Sequence, residues 1–147
     1  MDGCKKNKID GCPIVNAVSV ILINLDKKIL ALKRSGNKKW YPNKWDIVSG
    51  KIKSWESPDG CFQREVFEEI GVSDFQKVER GIPFLYEESG KKWLVHPYKC
   101  VIGTDSFKLN SEHSEFKWMT LKELPYSEHA KPLRKELSVF FKINSVA

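Results

Sequence analysis

Residues 50–72 read GKIKSWESPDGCFQREVFEEIGV, and the rest of the chain is organised around this stretch. Ser57-Pro58 opens a helix: the hydroxyl can cap free N–H groups, and the fixed φ of the proline ring suits the first helical position. Gly71, just past the periodic run, ends it. Between them Glu65, Glu68 and Glu69 stand at i, i+3 and i+4, which puts three carboxylates on one face. Phe62, Val66 and Ile70 form an adjoining apolar stripe that faces a core. Carboxylates this close repel one another unless a cation sits among them. Hard divalent ions such as Mg²⁺ take oxygen ligands of this kind, often together with substrate phosphates. For the acidic run taken alone, the simpler alternative is a solvated helix face in which Arg64 pairs with Glu68 at i+4.

Taken whole, the stretch matches G-x5-E-x7-R-E-U-x-E-E-x-G-U, with U a bulky aliphatic residue. It therefore resembles the signature of the Nudix hydrolases, also called MutT-like. The resemblance implies an α/β fold, specifically an α/β/α sandwich around a mixed β-sheet. It also implies a loop and helix that hold divalent cations, Mg²⁺ or Mn²⁺ in its place, against a diphosphate. Glu65, Glu68 and Glu69 occupy the metal and base positions, and the carbonyl of Ser49 that of a further metal ligand. Glu56 and Arg64 stand where a pair braces the loop against the helix, and Lys51 where phosphate is met. Glu112, six residues before Trp118, matches a loop glutamate that completes the metal site or acts as base, with Glu115 as its neighbouring candidate. The catalytic candidates are thus Glu65, Glu68 and Glu112, with Glu69 also eligible as the base.

The chain departs from the family pattern at three places. Val48-Ser49-Gly50 stands where many members carry Pro-Gly-Gly, so a Cβ at residue 49 narrows the backbone angles open to it. Trp55 replaces a common Gly, and Gly60-Cys61 a common Ala. None of these removes a ligand; they bear on rate and substrate.

The 147 residues, 41% hydrophobic and 12% aromatic, suit one globular domain. The expected organisation is a polar tail over residues 1–12 and a Nudix domain over 13–147. The opening MDGCKKNKID lacks the apolar core of a signal peptide. No apolar run reaches the roughly 18 residues of a membrane helix. Cys4, Cys12, Cys61 and Cys100 lack zinc-site spacing and read as reduced thiols, so the expected location is cytoplasmic. The net charge of +6 suits an anionic substrate, and by itself also suits nucleic acid.

In order along the chain, residues 14–23 (IVNAVSVILI) form a strand covered on both faces. With residues 29–33 (ILALK) they predict a hairpin about the turn at 24–28. Arg34 ends that strand; in the family an Arg near here reaches the substrate's phosphates, and the alternative is a surface Arg. The loop 35–44 (SGNKKWYPNK) interleaves Trp40 and Tyr41 with lysines, a pattern that stacks and holds nucleotides or pins a loop onto its domain. Trp45 is read as such a pin. Strands are expected over 45–48, 75–79, 84–88, 93–102 and 116–119. Pro97 marks its strand as an edge or a bulge, and His96 is read as structural. A helical turn over 121–124 and a second core-packed helix over 129–143, carrying Leu133, Leu137, Phe140 and Phe141, complete the pattern.

The expected reaction is metal-dependent hydrolysis of a phosphoanhydride bond in a nucleoside diphosphate linked to another moiety, foremost a nucleoside triphosphate giving monophosphate and pyrophosphate. The substrate-binding candidates are Arg34, Trp40, Tyr41 and Lys51, with broad preference among bases. The alternatives are a non-catalytic nucleotide- or RNA-binding module, or a hydrolase of ADP-ribose or dinucleoside polyphosphates. The subgroup markers for those substrates do not fit cleanly, since Pro83 and Tyr86 fall short of the usual spacings. The expected partner is a small-molecule nucleotide rather than nucleic acid or membrane, and a homodimer is allowed.

Overall fold

The computed structural model describes residues 13–88, 90–124 and 133–141. The apolar run at 14–23 becomes β1 (Ile14–Ile23), a central strand. It runs parallel to β7 (Lys91–Val101), from Ile14 opposite Lys92 to Ile23 opposite Val101. Its other edge is shared. Near its end it meets β2 (Ile29–Arg34), and from Ala17 to Val20 it pairs antiparallel with β4 (Val48–Lys51). The expected hairpin is therefore closed only at Ile23–Ile29. Because β4 occupies the rest of that edge, β2 diverges to pair with β3 (Trp45–Asp46) and β8 (His113–Met119).

β7 also has two partners on its far edge. β5 (Lys77–Arg80) pairs with residues 98–101, and β6 (Phe84–Glu88) with residues 91–95. Pro97 thus lies in an interior strand, opposite Ser19, and not on the edge that its ring suggested. The carbonyl of Pro97 accepts from the Gly81 N–H at 2.9 Å, so its backbone faces the break between β5 and β6. The missing N–H falls where the ladder is already interrupted, which is why proline is tolerated there.

α1 (Pro58–Ile70) begins and ends where its sequence indicates. The Ser57 hydroxyl accepts from the Gly60 N–H at 3.1 Å. Gly71, at φ 77°, donates its N–H to the Phe67 carbonyl. The alternation of β1 then divides the core. Val18, Val20 and Leu22 pack with Phe62, Val66 and Ile70 of α1 on one face. Ile21, on the other face, packs in the cluster that contains Leu133 and Leu137 of α2 (Leu133–Phe140). One helix on each side of a mixed sheet makes the α/β/α sandwich. The expected helical turn at 121–124 is present as Glu123 and Leu124 N–H groups returning to the Thr120 carbonyl. The polar tail, Cys4, Cys12 and residues 129–132 and 142–143 of the expected second helix lie outside the described residues.

Candidate active site

The β1–β4 ladder sets Gly50 opposite Val18 and brings it under the first turns of α1. A Cβ at residue 50 would overlap the Glu65 carboxylate and come within 2.7 Å of Glu65 Cγ. Glycine here is a matter of space, since only a bare backbone lets the carboxylate in. Ser49 continues β4, and among the described non-glycine residues only Lys27, Tyr41 and Asn43 have positive φ. Its Cβ therefore introduces no strain beside the carbonyl that the family resemblance makes a metal ligand.

Arg64 ties the loop to the helix. Its Nε donates to Glu56 Oε2 at 2.5 Å and an Nη to Glu56 Oε1 at 2.9 Å. The other Nη lies 3.2 Å from both Glu65 Oε2 and Glu68 Oε1. Paired in this way, and accepting the Lys53 N–H as well, Glu56 is held down at about 2. The guanidinium offsets part of the charge of Glu65 and Glu68, and its pairing with Glu68 is the one the surface-helix alternative anticipated.

The three motif carboxylates differ sharply in setting. Glu68 stands at the rim, whereas Glu65 is 9% and Glu69 1% exposed. Burial raises the Glu65 carboxyl. It raises Glu69 well above the ordinary carboxylate range, and the charges of Glu112 and Glu65 push the same way. Glu69 Oε2 has no hydrogen-bond partner among the described residues. His113 Nδ1 lies 3.6 Å from Glu69 Oε1, too far for a hydrogen bond. Burial and the positive charges of Arg34 and Lys38 lower that histidine to about 4, so it is a neutral neighbour and not an ionic partner.

Among the described residues no three His, Cys, Asp or Glu side chains already converge as a metal cage. The donor set nevertheless fits a hard divalent cation: three carboxylates in one region, an orphaned buried oxygen on Glu69 and a glycine that clears space for Glu65. Glu112 belongs to the same electrostatic cluster, since its charge acts on Glu65, Glu69 and Asp46. Its carboxylate also meets Lys38 at 3.7 Å and the Asn110 amide at 3.3 Å. Glu115 instead pairs with Lys33 on the exposed side of β8.

A cavity of about 570 Å³ adjoins Gly50 and Lys51. Arg34, Trp40, Tyr41 and Lys51, all read from sequence as substrate contacts, line it. The Arg34 Nε donates to the Trp40 carbonyl at 2.9 Å, and the Tyr41 hydroxyl to Glu88, which anchors the aromatic loop over the opening. Lys51 Nζ lies 5.5 Å from the Trp93 ring centre. Asp46 and Glu136, buried in its wall, and His113 beside Glu69 were missed in the sequence. The signals were faint: an Asp inside the apolar run Trp45–Val48, and a Glu between Leu133 and Leu137 at core spacing. A larger cleft of about 660 Å³ lies at the other end of α1, but Asp74 is its one charged lining residue, so the chemistry is placed in the first.

Asp46 gives the site a pH signature. Burial lifts its carboxyl to about 6, against the opposing Ile47 N–H and Arg34. Such a carboxyl favours the folded state in acid, and that contribution disappears as pH rises from about 4 through about 6. Between pH 4 and pH 7 the unfolding free energy of the wild type should fall relative to Asp46→Asn by on the order of 2–3 kcal/mol. Urea unfolding of both proteins across that range measures it, and a constant difference would show that Asp46 is ionised throughout.

The NUDIX domain family model matches residues 13–140. A prenyl-diphosphate phosphatase of Methanosarcina mazei is 32% identical over 126 residues, covering 83% of this chain and 73% of that protein. The crystal structure of a MutT protein from the same species superposes with a TM-score of 0.70 at 25% identity, covering 86% of this chain and 95% of that one. The NUDIX domain of Shewanella oneidensis NrtR, solved with ADP ribose, has a TM-score of 0.70 at 17% identity, each chain being covered to 84%; at that identity the likeness is one of fold.

Proposed function

This chain belongs to the NUDIX domain family and is a Nudix hydrolase, and from that premise we propose that it cleaves nucleoside triphosphates to monophosphate and pyrophosphate. The observation that carries this reading is the aromatic-walled cavity opening beside Gly50 and Lys51, with Arg34 also in its wall. Phosphates would lie toward Arg34 and Lys51, and the base toward Trp40, Tyr41, Tyr86 and Trp93. Stacking tolerates different bases and is worth roughly 1–3 kcal/mol for each, so preference among them is broad.

Glu65, Glu68, Glu69 and the Ser49 carbonyl would hold Mg²⁺, or Mn²⁺ in its place. When bound, such an ion neutralises phosphate charge and lowers the pKa of water. The chain's own part is to bring a carboxylate to the water that attacks phosphorus. Glu112 is one such group, and Glu65 and Glu68 are others; the water loses its proton to it as the anhydride P–O bond breaks. Arg64, bonded to Glu56, Glu65 and Glu68, sets the position of the helix carboxylates relative to the loop. A nucleotide in the cytoplasm is the substrate and location this reading implies.

A second reading has one specific support. The 32% identical relative is a prenyl-diphosphate phosphatase, and an apolar cavity beside a diphosphate site suits a hydrocarbon chain too. A panel of nucleoside triphosphates, ADP-ribose, a dinucleoside tetraphosphate and geranyl diphosphate, each with Mg²⁺, separates these readings. At least one nucleoside triphosphate should exceed every other class in kcat/KM by about tenfold, a difference of about 1.4 kcal/mol. A preference of that size for geranyl diphosphate would replace the nucleotide reading.

A further inference from the structure

We propose that Glu136 is a specificity-determining residue of the cavity, whose carboxyl hydrogen-bonds the polar edge of a nucleobase. This deepens the nucleotide reading and rests on it. Leu133 and Leu137 of α2 are 1% and 0% exposed, and Glu136, one residue before Leu137, is drawn in with them at 4%. A carboxyl in that position is costly, because burial of a polar group without a partner costs free energy that an apolar side chain would not. Its Oε2 has no hydrogen-bond partner among the described residues, and the side chain lines the cavity.

Tyr86 lines the same wall, its buried hydroxyl interacting with Glu88. A buried, unpaired carboxyl in an aromatic cavity calls for a ligand with polar atoms of its own. A prenyl chain would leave it uncompensated. A nucleobase offers a ring to the aromatic walls and an edge of N–H and C=O or ring-nitrogen groups to the wall.

The state of the carboxyl suits this edge. Burial, reinforced by the neighbouring Asp46, keeps Glu136 protonated well above the ordinary carboxylate range. A neutral carboxylic acid presents one O–H donor and one carbonyl acceptor side by side. Adenine, guanine, cytosine and uracil each carry an adjacent donor and acceptor that match it. The charged groups and the phenol sharing the wall with Glu136 include Arg34 from β2, Asp46 from β3, Lys51 from β4, Tyr86 and Glu88 from β6 and Lys91 from β7. The pairing admits every base while excluding hydrocarbon, which is the broad preference that stacking alone would give, with a polar requirement added.

Binding can be read without turnover, because Trp40 and Trp93 line the cavity and report its occupancy by fluorescence. Nucleoside monophosphates and ribose 5-phosphate are titrated against wild type, Glu136→Leu and Glu136→Gln in the absence of metal. Wild type should bind the nucleotides at least about tenfold tighter than ribose 5-phosphate, and Glu136→Leu should lose most of that ratio, the cost of one or two buried hydrogen bonds. Glu136→Gln, which keeps a donor and an acceptor, should retain most of it. Purine riboside monophosphate, lacking the exocyclic amine, should bind wild type about fivefold more weakly than AMP, a comparison that needs no variant. An unchanged ratio in Glu136→Leu, or equal affinity for AMP and purine riboside monophosphate, overturns the proposal. Base-dependent binding by a wild type that hydrolyses no nucleoside triphosphate overturns the reaction reading alone.

Discussion

Glu69→Gln lowers kcat by at least about 10³-fold while leaving the protein folded, a loss of the size seen when one preorganised charge is removed from a reaction centre. Glu69 is 1% exposed and its Oε2 has no hydrogen-bond partner among the described residues, so its charged form is disfavoured in the apo protein. Burial and the Glu112 and Glu65 charges work against it. The amide keeps the shape and removes that electrostatic burden, so the melting temperature should hold or rise as activity falls. A rise in stability with a collapse in kcat is the mark of a carboxylate kept for chemistry. Glu68→Gln, at the exposed rim and 3.2 Å from Arg64, should cost kcat by orders of magnitude with little change in stability. Steady-state kinetics at saturating Mg²⁺, with thermal melts of the same samples, measure both. Full activity in both variants would remove Glu68 and Glu69 from the mechanism.

Gly50→Ala carries the second largest effect. The new Cβ would overlap the Glu65 carboxylate, and Glu65 is buried and already held by Arg64. The side chain must swing away, taking its oxygens off the position that β4 and α1 define. A shift of about 1 Å in a reacting group costs about 100-fold, so kcat should fall by at least that factor. Stability should drop by about 1–3 kcal/mol, as for other overpacked sites. Retention of wild-type kcat would mean that the approach of Glu65 to residue 50 has no part in catalysis. Ser49→Gly serves as the contrast, because Ser49 lies in ordinary strand conformation and its replacement relieves no strain.

What could be read from the chain, and what could not, follows the range of the interactions. The ends of α1 were legible because Ser57, Pro58 and Gly71 act within one turn of themselves. The pairing of Glu56 with Arg64 was legible only through the family resemblance, since it spans loop and helix. The sharing of one edge of β1 by β2 and β4, and of one edge of β7 by β5 and β6, was not legible, because periodicity reports which faces are buried and is silent on who pairs with whom. Pro97 was half legible for that reason: its ring says that one N–H is missing, which left an edge or a bulge open, and the break between β5 and β6 that accommodates it lies elsewhere in the sequence. Glu112 was a candidate only through the family resemblance, by its distance before Trp118; in the fold its charge acts on Glu69. Asp46 and Glu136 escaped because only the fold brings them to one cavity wall, and His113 because it stands in a polar run that gives no sign of its burial beside Glu69.

The parallel ladder at the middle of the sheet has a consequence for biosynthesis. Every residue of β1 is matched with one 78 positions later, since 92 − 14 and 101 − 23 are both 78. A chain emerging from the ribosome therefore displays β1 long before β7 exists to cover it. The β1–β4 contact and α1 can assemble first, because they close over shorter loops. The apolar edge of β1 stays open until more than two-thirds of the chain has been made, and pairing of such long sequence separation is slow and exposed to aggregation. Synthesis rate and chaperone supply, more than the stability of the finished fold, should then govern the yield of soluble protein.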